Sequence, residues 1–392
     1  MIARYLIFFI LLIVLPDIYI YLRYLHKRFA QKRHFTFLWW IPSAFLLTYM
    51  ACLWGEKDAA PANTSILYWF LFLLGLISVP KAAFALCSSI GWMWCRWLKK
   101  KRNAGNLIGI VMALFSIYAL VYGSTAGFRQ MEVRNTTIRH ADLPTAFEGY
   151  KIVLFSDVHA GSYSGERQKI LTQAIKLINA QHADAIVFTG DLQNMRPQEL
   201  YEHRHLLSSL HAKDGVFSVL GNHDYADYIE ADSIVEAANI AEMCRLQRQF
   251  GWKLLNNEHR IVRRGNDSIV IAGMENDGEK PEYAKGDVAK TLRGTGKNAF
   301  VVMLQHDPSS WRRKILPQSQ AQLTLSGHTH GGQFSVFGLS PARFRYSESS
   351  GLYEQGGRYI YVTNGLGGMI PFRFGVPGEI VVITLQSSAK TN

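Results

Sequence analysis

Four long stretches of the chain carry almost no polar residue, and all of them lie before residue 129. Residues 5–22 are apolar except for Pro16 and Asp17 near their centre, and 35–54 holds no charge and has Trp39, Trp40 and Trp54 near its ends. Residues 66–95 are interrupted by Pro80 and Lys81, and 107–128 is again uncharged. A bilayer core about 30 Å thick needs roughly 20 apolar residues in a helix, and indole rings favour its interfaces. The pattern therefore predicts four membrane-spanning helices. A cleavable signal peptide is the rival reading of the first stretch, which starts beside Arg4, but no small-residue cleavage site precedes the basic stretch after it.

Beyond residue 149 the period changes. Short apolar runs at 151–156, 185–189, 216–220, 269–273, 299–304 and 322–326 read as buried strands. Residues 166–181 and 234–250 have helical periodicity, and 359–363 and 379–385 add two strand-like runs. The alternation predicts an α/β layered domain with helices covering a sheet. The expected organisation is a transmembrane helical region over 1–128, a connector over 129–149 and an α/β domain over 150–392.

Charge sharpens this division. The net charge is +12, yet the first 128 residues hold 13 Lys and Arg against 3 Asp and Glu, and the remaining 264 hold 29 against 27. Excess basicity among apolar stretches is a membrane signal and excludes nucleic acid as the expected partner. Arg23, Lys27, Arg28, Lys32 and Arg33 follow the first span, and Arg96, Lys99, Lys100, Lys101 and Arg102 follow the third. The loop after the second offers only Lys57 beside Glu56 and Asp58. Because Lys and Arg are retained on the cytoplasmic side, both termini and the α/β domain are expected outside, facing the periplasm or cell exterior. A re-entrant 66–95 segment would reverse that. Asp17 and Lys81, ionisable at membrane depth, are expected to pair or to snorkel to an interface. Cys52, Cys87, Cys95 and Cys244 form neither a disulfide framework nor a thiolate zinc pattern.

Chemistry gathers at the strand ends, where α/β folds place ligands. These deliver Asp157 and His159 in SDVHAG, Asp191 in TGDLQN, Asn222, His223 and Asp224 in GNHDY, His306 in LQHDP, and His328 and His330 in SGHTHGG. Mixed imidazole and carboxylate ligation without thiolates suits manganese, iron or zinc. The seven candidate ligands, Asp157, His159, Asp191, Asn222, His306, His328 and His330, are too many for one tetrahedral zinc and suit two divalent ions sharing one. Gly190, Gly221, Gly327, Gly331 and Gly332 stand beside them, where a backbone turns sharply or approaches an ion closely.

The order D-x-H, G-D, G-N-H-D, H, G-H-x-H resembles the calcineurin-like metallophosphoesterases over about residues 150–385. The resemblance implies a four-layer α/β/β/α sandwich around two sheets, here preceded by an all-α bundle of about four transmembrane helices, and a dinuclear metal centre. By position, Asp157, His159 and His330 would hold the first ion, Asn222, His306 and His328 the second, and Asp191 would bridge them. The family's catalytic acid maps onto His223, with Asp224 orienting it. The tail GLGGMIPFRFGVPGEIVVITL further resembles a membrane-linked bacterial branch related to the transmembrane protein with metallophosphoesterase domain.

The expected function is a membrane-anchored phosphohydrolase cleaving a phosphate ester or pyrophosphate bond of a phosphorylated small molecule or a lipid-linked substrate. One alternative is an enzyme like the UDP-2,3-diacylglucosamine pyrophosphatase of the same superfamily. Its usual Arg where this chain has His223, and its cytoplasmic substrate, count against it. The other is a non-catalytic membrane sensor or transport protein, which intact ligands disfavour. Arg196, His203, Arg204 and His205 could form a phosphate-binding rim, although such a cluster usually belongs to a solvated helix face. Phe334, Phe337 and Leu339 would put apolar side chains beside the metals, and Phe372, Arg373 and Phe374 invite a lipid-phosphate reading.

Overall fold

The computed structural model describes residues 5–28, 33–55, 64–225 and 232–388. Of the charges weighed above, Arg4, Lys32, Glu56, Lys57 and Asp58 lie outside them. The chain divides into two compact units, 1–125 and 126–392.

The first unit contains α1 (Leu6–Ile20), α2 (Arg33–Gly55), α3 (Thr64–Trp97) and α4 (Gly105–Tyr122). Four helical segments, Leu6–Leu25, His34–Gly55, Thr64–Trp97 and Ala104–Gly127, are long and apolar enough to cross a membrane. The third is one unbroken helix of 34 residues despite Pro80, about 50 Å at 1.5 Å per residue. It is not a re-entrant hairpin. Asp17 and Lys81 do pair, Nζ to Oδ1 at 2.8 Å, with the Asp17 carboxylate fully buried. The Ser43 hydroxyl donates to the other carboxylate oxygen, and the Lys81 ammonium lies 4.8 Å from the Trp39 ring centroid. One buried charge thus ties α1, α2 and α3 together, which explains two ionisable groups at membrane depth without an ion path.

Among the described residues the second unit has twelve strands: β1 (Met131–His140), β2 (Lys151–Phe155), β3 (Ala185–Phe188), β4 (Val216–Ser218), β5 (Lys253–Leu254), β6 (Glu258–Arg264), β7 (Asp267–Gly273), β8 (Phe300–Leu304), β9 (Leu323–Ser326), β10 (Gly351–Gln355), β11 (Arg358–Val362) and β12 (Gly378–Ser387). They form two six-stranded sheets, ordered β1-β12-β2-β3-β4-β5 and β10-β11-β9-β8-β7-β6. Strands β2 to β5 run parallel, as do β7, β8, β9 and β11.

Alternation within each strand builds the layers. Along β2, Ile152 and Leu154 face the core between the sheets, while Val153 and Phe155 face the core under α5 (Gln168–Asn179) and the helix Ser233–Gln249. Along β8, Phe300, Val302 and Leu304 face the shared core, while Val301 and Met303 pack outward against Val288, Trp311 and Ile315. Three stacked cores mean four layers, helix, sheet, sheet, helix, and strands buried on both faces read as unbroken apolar runs. The expected fold class is therefore observed.

The connector expected over 129–149 is not one. Ten of its residues are β1, which pairs in parallel with β12 from Met131 opposite Gly378 to His140 opposite Ser387. An edge strand with only Ile138 buried has no apolar run to betray it.

Candidate metal centre

Each candidate ligand sits where a strand gives way to a tight turn. Asp157 and His159 follow β2, Asp191 follows β3, Asn222 follows β4, His306 follows β8, and His328 and His330 follow β9. Asp157, His159, Asp191, His328 and His330 all have positive φ, between 50° and 73°. Non-glycine residues avoid that region, and their clustering stores strain where side chains must turn inward together. Glycines let the turns close: a Cβ on Gly221 would collide with the Asp191 carboxylate, and one on Gly327 with Ser156 and Asp157.

Two groups result. Ligand atoms of Asp157, His159, Asp191 and His330 lie within 4.8 Å of one another, as do those of Asp191, His306 and His328. Asp191 belongs to both. Asn222 joins the second group, its Oδ1 lying 3.1 Å from His306 Nε2 and 2.8 Å from His328 Nδ1. The structure thus brings all seven predicted ligands together, four to a group with Asp191 shared.

The donor set fits divalent cations on a physical ground. Both ring nitrogens of His159, a fully buried residue, and Nδ1 of His330 have no hydrogen-bond partner. A buried unsatisfied polar group costs about 1–3 kcal/mol, and ligation would remove that cost. His306 donates from Nδ1 to the Thr189 carbonyl at 2.8 Å, so Nε2 of the neutral ring is an acceptor. It faces two more acceptors, Asn222 Oδ1 and, at 3.1 Å, the Asp191 carboxylate. Without a cation only a proton can sit there. Burial opposes the His306 charge, but Asp191 overrides it and pushes the ring up to about 10. Burial opposes the Asp191 charge too, but His306, then His223 and His159, hold its carboxyl well below its usual range. Burial drives His330 the other way, down to about 4.

His223 stands beside the first group, its ring centroid 4.7 Å from that of His159. Its orientation is not set by Asp224, as the family pattern suggested. His223 Nδ1 donates to the Asn194 carbonyl at 2.7 Å. The Asp224 carboxylate instead accepts the backbone N–H groups of Asp191, Leu192, Gln193 and Gly221 at 2.9–3.3 Å. The short turn after β4 points it back under the loop carrying Asp191. Burial and then the Asp191 charge push Asp224 up to about 7.

Sequence reading missed three supports. Tyr346 meets His328 Nε2 at 2.9 Å and so directs Nδ1 to the centre. Glu199, half-buried, accepts from the N–H groups of Asn194, Met195 and Arg196 and so fixes the carbonyl that holds His223. Asn364 and Gly365 pass beside Asp157, where a Gly365 Cβ would meet the Asp157 Cβ at 2.5 Å. Tyr346 and Glu199 lie in no motif, and the tail that begins at Gly365 marks a likeness without a role, so only the fold could reveal them. Other expectations move. Arg373 is buried and spends its Nη atoms on the carbonyls of Asn364, Gly365, Gly367, Val376 and Pro377, so it organises that loop and does not face a lipid phosphate. His203 is buried and Arg204 lies over the Tyr201 ring, so they do not form one open rim with Arg196 and His205. Phe334 stacks on Phe374 at 5.5 Å, whereas Phe337 is fully exposed.

Two family models match. One, described as "Probable Calcineurin-like phosphoesterase, transmembrane domain", covers residues 3–128, and the other, "Calcineurin-like phosphoesterase", covers 150–332. An uncharacterized metallophosphoesterase of Bacillus subtilis, YkuE, is 30% identical over 74% of this chain and all of its own length. A Danio rerio transmembrane protein with metallophosphoesterase domain is 27% identical over 82% of this chain and 71% of its own. The UDP-2,3-diacylglucosamine pyrophosphatase LpxG of Chlamydia trachomatis is 26% identical over 70% of this chain and 97% of its own.

Proposed function

The chain belongs to the calcineurin-like phosphoesterases and is a membrane-anchored phosphoric ester hydrolase, and from that premise we propose that it acts at a membrane surface, on the outer face, on a phosphate ester or pyrophosphate that includes lipid-linked compounds. The observation that carries the reading is the pair of ligand groups sharing Asp191, with buried imidazole nitrogens turned into them. We assign Asp157, His159 and His330 to one divalent ion, Asn222, His306 and His328 to the other, and Asp191 to both. Manganese, iron or zinc suits these donors. Two such ions would supply the Lewis acidity that draws charge off the phosphoryl oxygens.

The protein's own groups do the rest. Asp191, ionised and held by the His223 N–H at 2.9 Å, sets the spacing between the two halves of the site. Thr189 fixes the His306 tautomer, and Tyr346 the His328 ring. His223, anchored through Nδ1, exchanges its proton at Nε2. Burial keeps the ring below the ordinary imidazole range, with Asp191 opposing. A phosphate dianion beside it favours the protonated form, which then can donate to the leaving oxygen.

Tethering to a bilayer and the likeness to LpxG support a lipid-linked substrate. The test is the full-length, detergent-solubilised chain, stripped with a chelator and assayed with and without manganese on lipid phosphates, nucleotides and aryl phosphates. Metal-dependent turnover with preference for lipid phosphates is expected. Preference for soluble nucleotides would sink the lipid reading while leaving the hydrolase.

A further inference from the structure

Tyr346, whose hydroxyl meets His328, also lines a cavity of about 310 Å³ together with Glu279, Ser309, Arg312, Arg313, Arg345, Ser347 and Glu348. None of these lining residues is among the proposed ligands. Its chemistry is that of an anion site. Three guanidinium groups converge on it, and each has five N–H donors, of which two go to the partners named here. Arg312 bonds Glu348 and Gln355, and Arg313 bonds the Asp277 carbonyl and carboxylate. Glu348 and Asp277 are buried, so these two arginines are a fixed wall. Ser309, whose buried hydroxyl has no partner, lines the same space.

Arg345 differs. It forms a forked pair with Glu279 at 3.2 and 2.6 Å, and both side chains are about half exposed. An exposed pair contributes roughly 0–1 kcal/mol, so a phosphate can take the carboxylate's place at little cost. The other acids nearby are committed. Asp277 also holds Lys314, and Asp307 accepts the Ser309 N–H at 2.9 Å.

We propose that this pocket is a specificity subsite for a second phosphate carried by the substrate. The inference rests on the phosphohydrolase reading and narrows its substrate class. Tyr346 links the two: its ring centroid is 5.6 Å from that of His328, and the Arg345 guanidinium is 5.2 Å from the Tyr346 centroid. Two ring contacts separate the metal ligand from the pocket. Because the Tyr346 side chain touches both, the pocket suits a bisphosphate whose two groups are several bonds apart.

The test uses the full-length chain in detergent with manganese, hydrolysing p-nitrophenyl phosphate, with glucose 6-phosphate and glucose 1,6-bisphosphate as competitors. Two phosphates to present give the bisphosphate a twofold statistical advantage. A charge-assisted contact of about 1.5 kcal/mol or more adds a further tenfold or so. The expected ratio of inhibition constants therefore exceeds ten. Arg345→Gln should bring it near two, and Arg345→Lys, which keeps the charge but not the fork, should retain part. Glu279→Gln should raise the ratio, because it removes the competing carboxylate; a merely structural pair would lower it or leave it alone. A wild-type ratio of two, or one ratio in all variants, overturns the subsite. Equilibrium titration of the bisphosphate into wild type and Arg345→Gln reads the pocket without turnover. Absence of p-nitrophenyl phosphate hydrolysis then counts against the hydrolase reading alone.

Discussion

Asp191 carries more of the site than any other side chain, because its carboxylate belongs to both ligand groups, with Oδ2 3.7 Å from His159 Nε2 and 3.1 Å from His306 Nε2, and its backbone, in the left-handed region, donates to the Asp224 carboxylate below it. Replacing it by Asn keeps the shape and removes the charge. Changes outside the ligand shell cost ~10–100-fold in metal affinity or activity, so Asp191→Asn should cost more than a hundredfold in turnover. It should leave the sheets folded, since the residue is at a strand end. Two tightly bound metal equivalents with wild-type turnover would show that Asp191 does not bridge. His223→Ala separates proton donation from phosphate binding. General acid catalysis contributes about 10²–10⁴-fold where the leaving group is a poor alkoxide and little where it is an aryl oxide. Alkyl phosphate turnover should therefore fall about a hundredfold or more and aryl phosphate turnover far less; equal losses would make His223 a phosphate ligand. These residues were legible because each motif puts a metal-binding side chain within a few positions of an apolar run. Tyr346 and Asn194 were not, because one acts through a loop side chain and the other through a backbone carbonyl that any residue could supply.

Strands buried on both faces were read from the sequence with small errors at their ends, and strands at the sheet edges were not. Glu-His-Arg-Ile-Val-Arg-Arg in β6 and the polar β1 and β10 have solvent on one side or at one edge, and half-exposed strands need no continuous apolar run. Strand β6 nevertheless does work at the end of the sheets opposite the ligands. Arg264 at its end reaches Asp184, which precedes β3, at 2.9 Å, and Asp184 also accepts the Lys151 N–H at 2.8 Å and the Lys213 ammonium at 3.0 Å. One carboxylate thus clips one sheet to the other. Burial opposes its ionisation, yet these three donors hold it below the usual carboxylate range. A carboxyl whose folded pKa is depressed stabilises the fold above its unfolded value and loses that contribution as pH falls through the folded one. The wild type should accordingly lose stability on acidification below about pH 4, where a free Asp titrates. Asp184→Asn should be less stable by about 1–2 kcal/mol at pH 7 and should close that gap in acid. Thermal unfolding of both proteins in detergent between neutral pH and pH 3 checks this; a constant gap would mean that the carboxylate is not ionised in the fold.

At the scale of the whole molecule the charge arithmetic of the first 128 residues decides which pool of substrate the α/β domain meets. Ten Lys and Arg fall in the first and third loops or, as Arg23, Arg33 and Arg96, at the helix ends that bound them, against one in the second. The third apolar stretch forms one continuous helix, so four crossings are expected, an even number that would return the chain to the side on which it began. Retention of Lys and Arg on the cytoplasmic side then predicts that residues after 128 lie outside, together with the ligand groups. The domain would act on lipid headgroups or exported phosphate esters and would not reach cytoplasmic nucleotides. Protease added to intact cells or spheroplasts should digest the domain beyond Arg129, and a reporter active only in the cytoplasm should stay silent when fused after Asn392. Moving the charges gives the stronger test. Changing Lys99, Lys100, Lys101 and Arg102 together to Asn removes most of the third loop's retention signal while leaving every apolar span intact, so protection and reporter activity should appear in part of the population. A protected domain with an active reporter in the unaltered chain would place the site inside and return a cytoplasmic lipid precursor to first place among substrates.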